Sequence, residues 1–170
     1  METTTRTWIS WRPAILSGLI AGLVFLILEM VMVPLFLGVG PWAPVRMIGA
    51  IVLGQGVLPP PATFDITVFV TAALVHFVLA VIYAVILALI IHRLNMGIAV
   101  VVGLLFGLGL YFINFYVFTA QFPWFADARN WVSIFAHLVF GVVSAWTYKT
   151  LAQRDVPMVE QEHEYRQRTS

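Results

Sequence analysis

The chain has 170 residues, of which 61% are apolar and 10% charged, with a formal net charge of +1. So little polar surface cannot coat a water-soluble domain, and the composition reads as an integral membrane protein of one compact domain. The near-zero charge offers no basic patch for nucleic acid. The absence of cysteine excludes disulfides, thiolate-bound zinc or iron–sulfur clusters, thioether-linked haem and cysteine nucleophiles.

Four stretches approach the ~20 apolar residues that cross hydrocarbon, and helices are predicted over Pro13 to Leu37, Ile66 to Ile91, Gly97 to Phe118 and Trp131 to Tyr148. The first follows Arg6 and Arg12, as a signal peptide would, but it is too long for a signal core, carries Glu29 and lacks a small-residue cleavage site. It therefore reads as a retained helix. Gly18 and Gly22 form a GxxxG step, and Glu29 follows seven positions later. That spacing keeps all three near one helix face.

Beyond the first span lie Pro41-Trp42, Arg46 and an apolar segment, Met47 to Leu58, broken by Gly49, Gly54 and Gly56 and closed by Pro59-Pro60-Pro61. It is too short to cross a bilayer, and the proline run stops any helix. A short re-entrant or interfacial cap on the outer face is expected, and a natural docking place for a larger neighbour. The run Pro41-Trp42-Ala43-Pro44-Val45-Arg46-Met47, with Ile51-Val52-Leu53-Gly54 and Val57 to Asp65, resembles small four-helix bacterial inner-membrane proteins, mostly uncharacterised. Some of these carry an automatic label of sodium:proline symporter, and a looser similarity is to YagU-like inner-membrane proteins. A symporter of that kind has many more helices and an unwound sodium site, so the resemblance implies location and fold and no catalytic residue.

The second span carries His76 and Tyr83, the third Gly103, Gly107 and Asn114, and the fourth His137 and Ser144. Laying the first span on the third pairs Gly18 with Gly103, Gly22 with Gly107 and Glu29 with Asn114. Laying the second on the fourth pairs His76 with His137 and Tyr83 with Ser144, and Pro123-Trp124 with Arg129 echoes the first outer loop. The expectation is a duplicated hairpin, repeat one over about 13–91 and repeat two over about 97–151, related by a pseudo-twofold axis along the membrane normal. The predicted fold class is all-α, a four-helix membrane bundle.

Arg6, Arg12, Arg93, Lys149, Arg154, Arg166 and Arg168 fall on one side, with only Arg46 and Arg129 on the other. Both termini are therefore expected in the cytoplasm of a bacterial inner membrane, with Trp8, Trp11 and Trp146 at the inner interface and Trp42, Trp124 and Trp131 at the outer. Residues 152–170 form a polar stretch with Glu160, Glu162, His163 and Glu164, expected as a solvated cytoplasmic tail.

Glu29, His76, Asn114 and His137 should share the outer half of the bilayer, roughly 6–15 Å from the outer helix ends at 1.5 Å per residue. Ionisable groups at that depth cost ~2.5–3.5 kcal/mol on insertion scales and tend to face protein. Three functions suit such a layer. Interhelical hydrogen bonds among the four would organise a non-enzymatic accessory or structural subunit that packs on itself or on a larger assembly, with no cofactor and no metal. Alternatively, His76 and His137 would be the two axial ligands of a haem b electron carrier, with small residues Ala80 and Gly141 making room. As a third reading, Glu29 with a histidine would relay protons or bind a cation, extended by Tyr83 and Ser144.

Overall fold

The computed structural model describes residues 9–154; Arg6, Trp8 and the expected tail beyond Arg154 lie outside them. The described chain forms four long apolar helices and one short one: α1 (Trp11–Met32), α2 (Ala43–Leu53), α3 (Ile66–Ile91), α4 (Met96–Phe112) and α5 (Trp131–Arg154). α1, α3 and α5, and α4 together with the turns that continue it to Ala120, are long and apolar enough to cross a membrane, and they pack as one bundle.

Local chemistry sets the helix starts. Asp65 accepts the Val68 amide at 2.9 Å, Asn95 the Ile98 amide at 2.9 Å and Asn130 the Ser133 amide at 3.1 Å. These are side-chain caps for α3, α4 and α5. α1 and α4 end alike, each widening into a π turn, over Val33–Leu37 and Ile113–Val117. In the first, Pro34 lacks the amide the α pattern requires and its ring crowds the carbonyl one turn back. Gly38, with φ of +66°, then closes that end in the left-handed conformation.

Glycine lets the helices approach. A Cβ on Gly18 would lie 2.7 Å from the Val81 Cα and 2.9 Å from the Ala80 carbonyl oxygen, so α1 touches the α3 backbone. On α4, a Cβ at Gly103 would strike the Gly141 carbonyl oxygen, and one at Gly107 the His137 carbonyl oxygen. Small residues and direct backbone contact are the usual substitute for a hydrophobic drive between membrane helices. The buried residues of the bundle are accordingly small, with Ala14, Ala88, Ala99 and Ala145 packed around Leu87, Ile91 and Tyr148. Leu74, Val78 and Leu105 point outward.

The packing is lopsided. α1 lies along both α3 and α5, and α4 along α5, whereas α3 and α4 diverge after their short connecting turn. At the pole of that turn the Ser10 amide donates to the Tyr148 hydroxyl at 3.4 Å and Lys149 Nζ to the His92 carbonyl at 3.2 Å. The chain thus starts and ends its bundle at one pole.

α2 occupies the other pole. It packs on the start of α3, where a Cβ on Gly49 would come 2.9 Å from Val68 Cγ1. Gly54, with φ of +80°, reverses the chain after it. Arg46 stitches the returning segment to α2, Nη1 donating to the Val57 carbonyl at 2.7 Å and Nε to the Thr63 carbonyl at 3.0 Å. The Trp124 indole donates to the Met47 carbonyl at 2.9 Å, tying α2 to the loop before α5.

The end of the fourth span differs from the sequence reading. α5 continues to Arg154, beyond the predicted end at Tyr148 and into the stretch assigned to the tail. Hydropathy falls there, but Lys149, Leu151, Ala152, Gln153 and Arg154 are all strong helix formers and carry the helix on. Among the tryptophans, Trp11, Trp131 and Trp146 are exposed as anchors would be, while Trp42 packs on Phe64 and Phe69, and Trp124 makes the α2 bond.

Candidate functional site

α3 and α4 part around a cavity of about 370 Å³, roofed by Ile48 and Ile51 of α2. Its walls are mostly aromatic and aliphatic, with His76, Tyr83, Asn114 and His137 as the polar members. Three of the four polar residues singled out in the sequence therefore meet at one place, and Tyr83 joins them.

A single hydrogen-bonded chain crosses this wall. The Tyr83 hydroxyl donates to Asn114 Oδ1 at 3.0 Å, and Asn114 Nδ2 donates to His137 Nε2 at 3.1 Å. His137 Nδ1 donates to the Ser133 carbonyl at 2.7 Å, one helical turn back on α5. A carbonyl only accepts, so the proton sits on Nδ1 and leaves Nε2 as the acceptor for Asn114. Asn114 stands in the π turn that ends α4, where the widened backbone turns its amide toward α5.

His76 is used differently. Its Nε2 donates to the Gly22 carbonyl at 2.8 Å, which places the proton on Nε2 and leaves Nδ1 an acceptor without a partner among the described residues. The Phe25 ring packs against both imidazoles, its centroid 5.5 Å from that of His76 and 4.9 Å from that of His137.

Glu29 lies elsewhere. It is 7% exposed and lines a second cavity of about 270 Å³ at the α2 pole. Phe25, Ile48, Phe115 and Phe125 border both cavities and separate the carboxyl from the histidines. Ser133 of α5 lines the same cavity, and Glu29 Oε1 has no hydrogen-bond partner among the described residues. Asn114 bonds the histidine of its own hairpin, whereas Glu29 lines the other cavity beside Ser133. Phe25, one turn before Glu29 on α1, borders both cavities and packs against both imidazoles.

Ser133 was not singled out in the sequence, yet it lines the Glu29 cavity and its carbonyl accepts from His137. Its position four residues before His137 was the available signal, since such pairs share a helix face. Ser144 is buried, and its hydroxyl has no hydrogen-bond partner among the described residues. It does not extend the Tyr83 chain.

The two histidines do not suit an axial pair. Each Nε2 is engaged, by Gly22 and by Asn114, and Phe25 occupies the space against both rings. Ala80 and Gly141 do not clear room for a macrocycle. A Cβ on Gly22 would lie 2.8 Å from the Ala80 Cβ, and Gly141 meets the Gly103 backbone. Among the described residues no three His, Asp or Glu side chains converge as a metal site would require. No family model, curated protein or solved structure matches the chain.

Proposed function

We propose that the chain is a non-enzymatic inner-membrane protein, a small accessory subunit that packs laterally on a larger membrane assembly through the opening between α3 and α4. It is of the kind its first hairpin resembles, with both termini cytoplasmic and α2 a re-entrant cap on the outer face. The observation carrying this reading is the parting of α3 and α4 around a 370 Å³ apolar recess while every other neighbouring pair of long helices is closed. A recess lined by Phe118, Phe122, Phe125 and Leu79 suits the protruding side chains of a neighbouring helix. The polar chain beside it passes through the Asn114 amide and ends on the Ser133 backbone carbonyl, neither of which readily takes up and releases a proton, which suits an organising element better than a proton conduit.

A doubled hairpin is part of this proposal. Gly18 meets Ala80 and Ala84 while Gly103 meets Gly141 and Ala145, and Gly22 meets His76 and Phe77 while Gly107 meets His137 and Leu138. These are the partners that a duplicated unit would pair, register for register.

The natural lack of cysteine makes the test clean. Phe118→Cys, beside the recess, should crosslink to a larger membrane chain in native membranes, and Leu105→Cys, 61% exposed on the lipid side, should not. A crosslink at twice the chain's own mass would make the partner a second copy. No crosslink at either position, with a monodisperse protein after gentle extraction, would overturn the accessory role.

A further inference from the structure

The geometry points to the second cavity as a binding site for a small organic cation, a protonated amine or quaternary ammonium with an apolar body. This inference is independent of the accessory role, since it concerns the α2 pole and not the opening between α3 and α4.

Three observations converge. Glu29 is more than nine-tenths buried and lines the cavity, and its Oε1 lacks any partner among the described residues. A buried carboxyl with an unbonded oxygen is costly, and a positive charge in the adjoining cavity compensates it whichever oxygen faces the space.

Next, the walls carry two carboxyls, Glu29 and Asp127, and no lysine, arginine or histidine. Both arginines of this pole are committed elsewhere. Arg46 bonds Val57 and Thr63, and Arg129 donates to the Phe115 carbonyl at 2.7 Å with its guanidinium 4.4 Å over the Tyr116 ring. A positive ligand thus meets two carboxyls and no cation in the wall. Asp127 is exposed and so draws a cation inward from the aqueous side.

The third is the aromatic frame. Phe25, Phe115 and Phe125 border the cavity, and ring faces attract cations most strongly where water is excluded. Among the described residues no three His, Asp or Glu side chains gather to hold a metal ion; an ammonium clothed in carbon matches both the carboxyls and the mostly apolar lining. About 270 Å³ accommodates a body the size of one ring with a substituted nitrogen.

The test uses full-length protein in lipid nanodiscs and equilibrium dialysis of benzyltrimethylammonium, with neopentylbenzene as its uncharged carbon isostere. The cation should bind saturably at one site per chain, at least tenfold tighter than the isostere. Glu29→Gln should weaken the cation at least tenfold and leave the isostere unchanged. Phe125→Leu, which keeps the carboxyl, should weaken the cation several-fold and covers the case in which Glu29→Gln does not fold. Equal affinity for cation and isostere, or cation binding unaffected by both variants, would overturn the proposal.

Discussion

At the scale of single residues, two hydroxyls that a doubled hairpin would pair, on half-buried Tyr83 and buried Ser144, have opposite fates. Tyr83 is bonded to Asn114, and Ser144 Oγ is bonded to nothing among the described residues. Tyr83→Phe should therefore cost about 0.6 kcal/mol, the usual value of an interhelical membrane hydrogen bond. Asn114→Leu removes both its bonds, strands Nε2 of His137, and should cost about 1–2 kcal/mol. Ser144→Ala should be neutral or slightly stabilising, because it removes an unbonded polar group. Reversible unfolding in mixed detergent micelles reads all three, and equal losses for Tyr83→Phe and Ser144→Ala would contradict the assignment. The sequence marked Glu29, His76, Asn114 and His137 because polar groups are conspicuous in apolar helices. Their partners were not legible, since nothing in the sequence says that Glu29 lines a different cavity from the two histidines. Phe25, which borders both cavities, is invisible among so many other apolar residues.

Among elements, the α4–α5 contact rests on glycine at defined heights. Gly107→Ala places a methyl group into the His137 carbonyl oxygen, so the helices must separate and the protein should lose about 1–3 kcal/mol. Gly109→Ala, two residues on, meets nothing within 4 Å and should be neutral or, through helix propensity, stabilising by up to about 1 kcal/mol. The same unfolding measurement separates them. GxxxG spacing made Gly18, Gly22, Gly103 and Gly107 legible, and the structure uses all four against neighbouring helices. The π turns were not legible. Pro34 hints at the first, but nothing in Ile113 to Val117 announces the second, which depends on how α4 meets α5. The end of α5 was missed for a different reason, since loss of hydropathy marks the edge of the membrane and not the end of a helix.

For the whole molecule, the four spans were readable because crossing hydrocarbon demands a long apolar run, and each appears where that run lies. The departure from twofold symmetry was not readable. A doubled unit predicts that α3 meets α4 as α1 meets α5, and instead that seam is open. α2 has no counterpart in the second hairpin, and its Ile48 and Ile51 enter the space where α3 and α4 part. The proposed orientation is tested with a reporter active only outside the cytoplasm: inserted at Gly56 it should be active, and joined after Arg154 silent. The reverse pattern would turn the protein over.

The indole of Trp124 reaching back to Met47 across 77 positions has a bearing on biogenesis. Residues 43–53 emerge from the ribosome well before their clasp has been translated, so until then the cap is held by Arg46 and by the start of α3. A chain stopped after Phe112 should leave this segment open to added protease, and extending synthesis through the loop before α5 should protect it. The last hairpin to be made thereby locks the first.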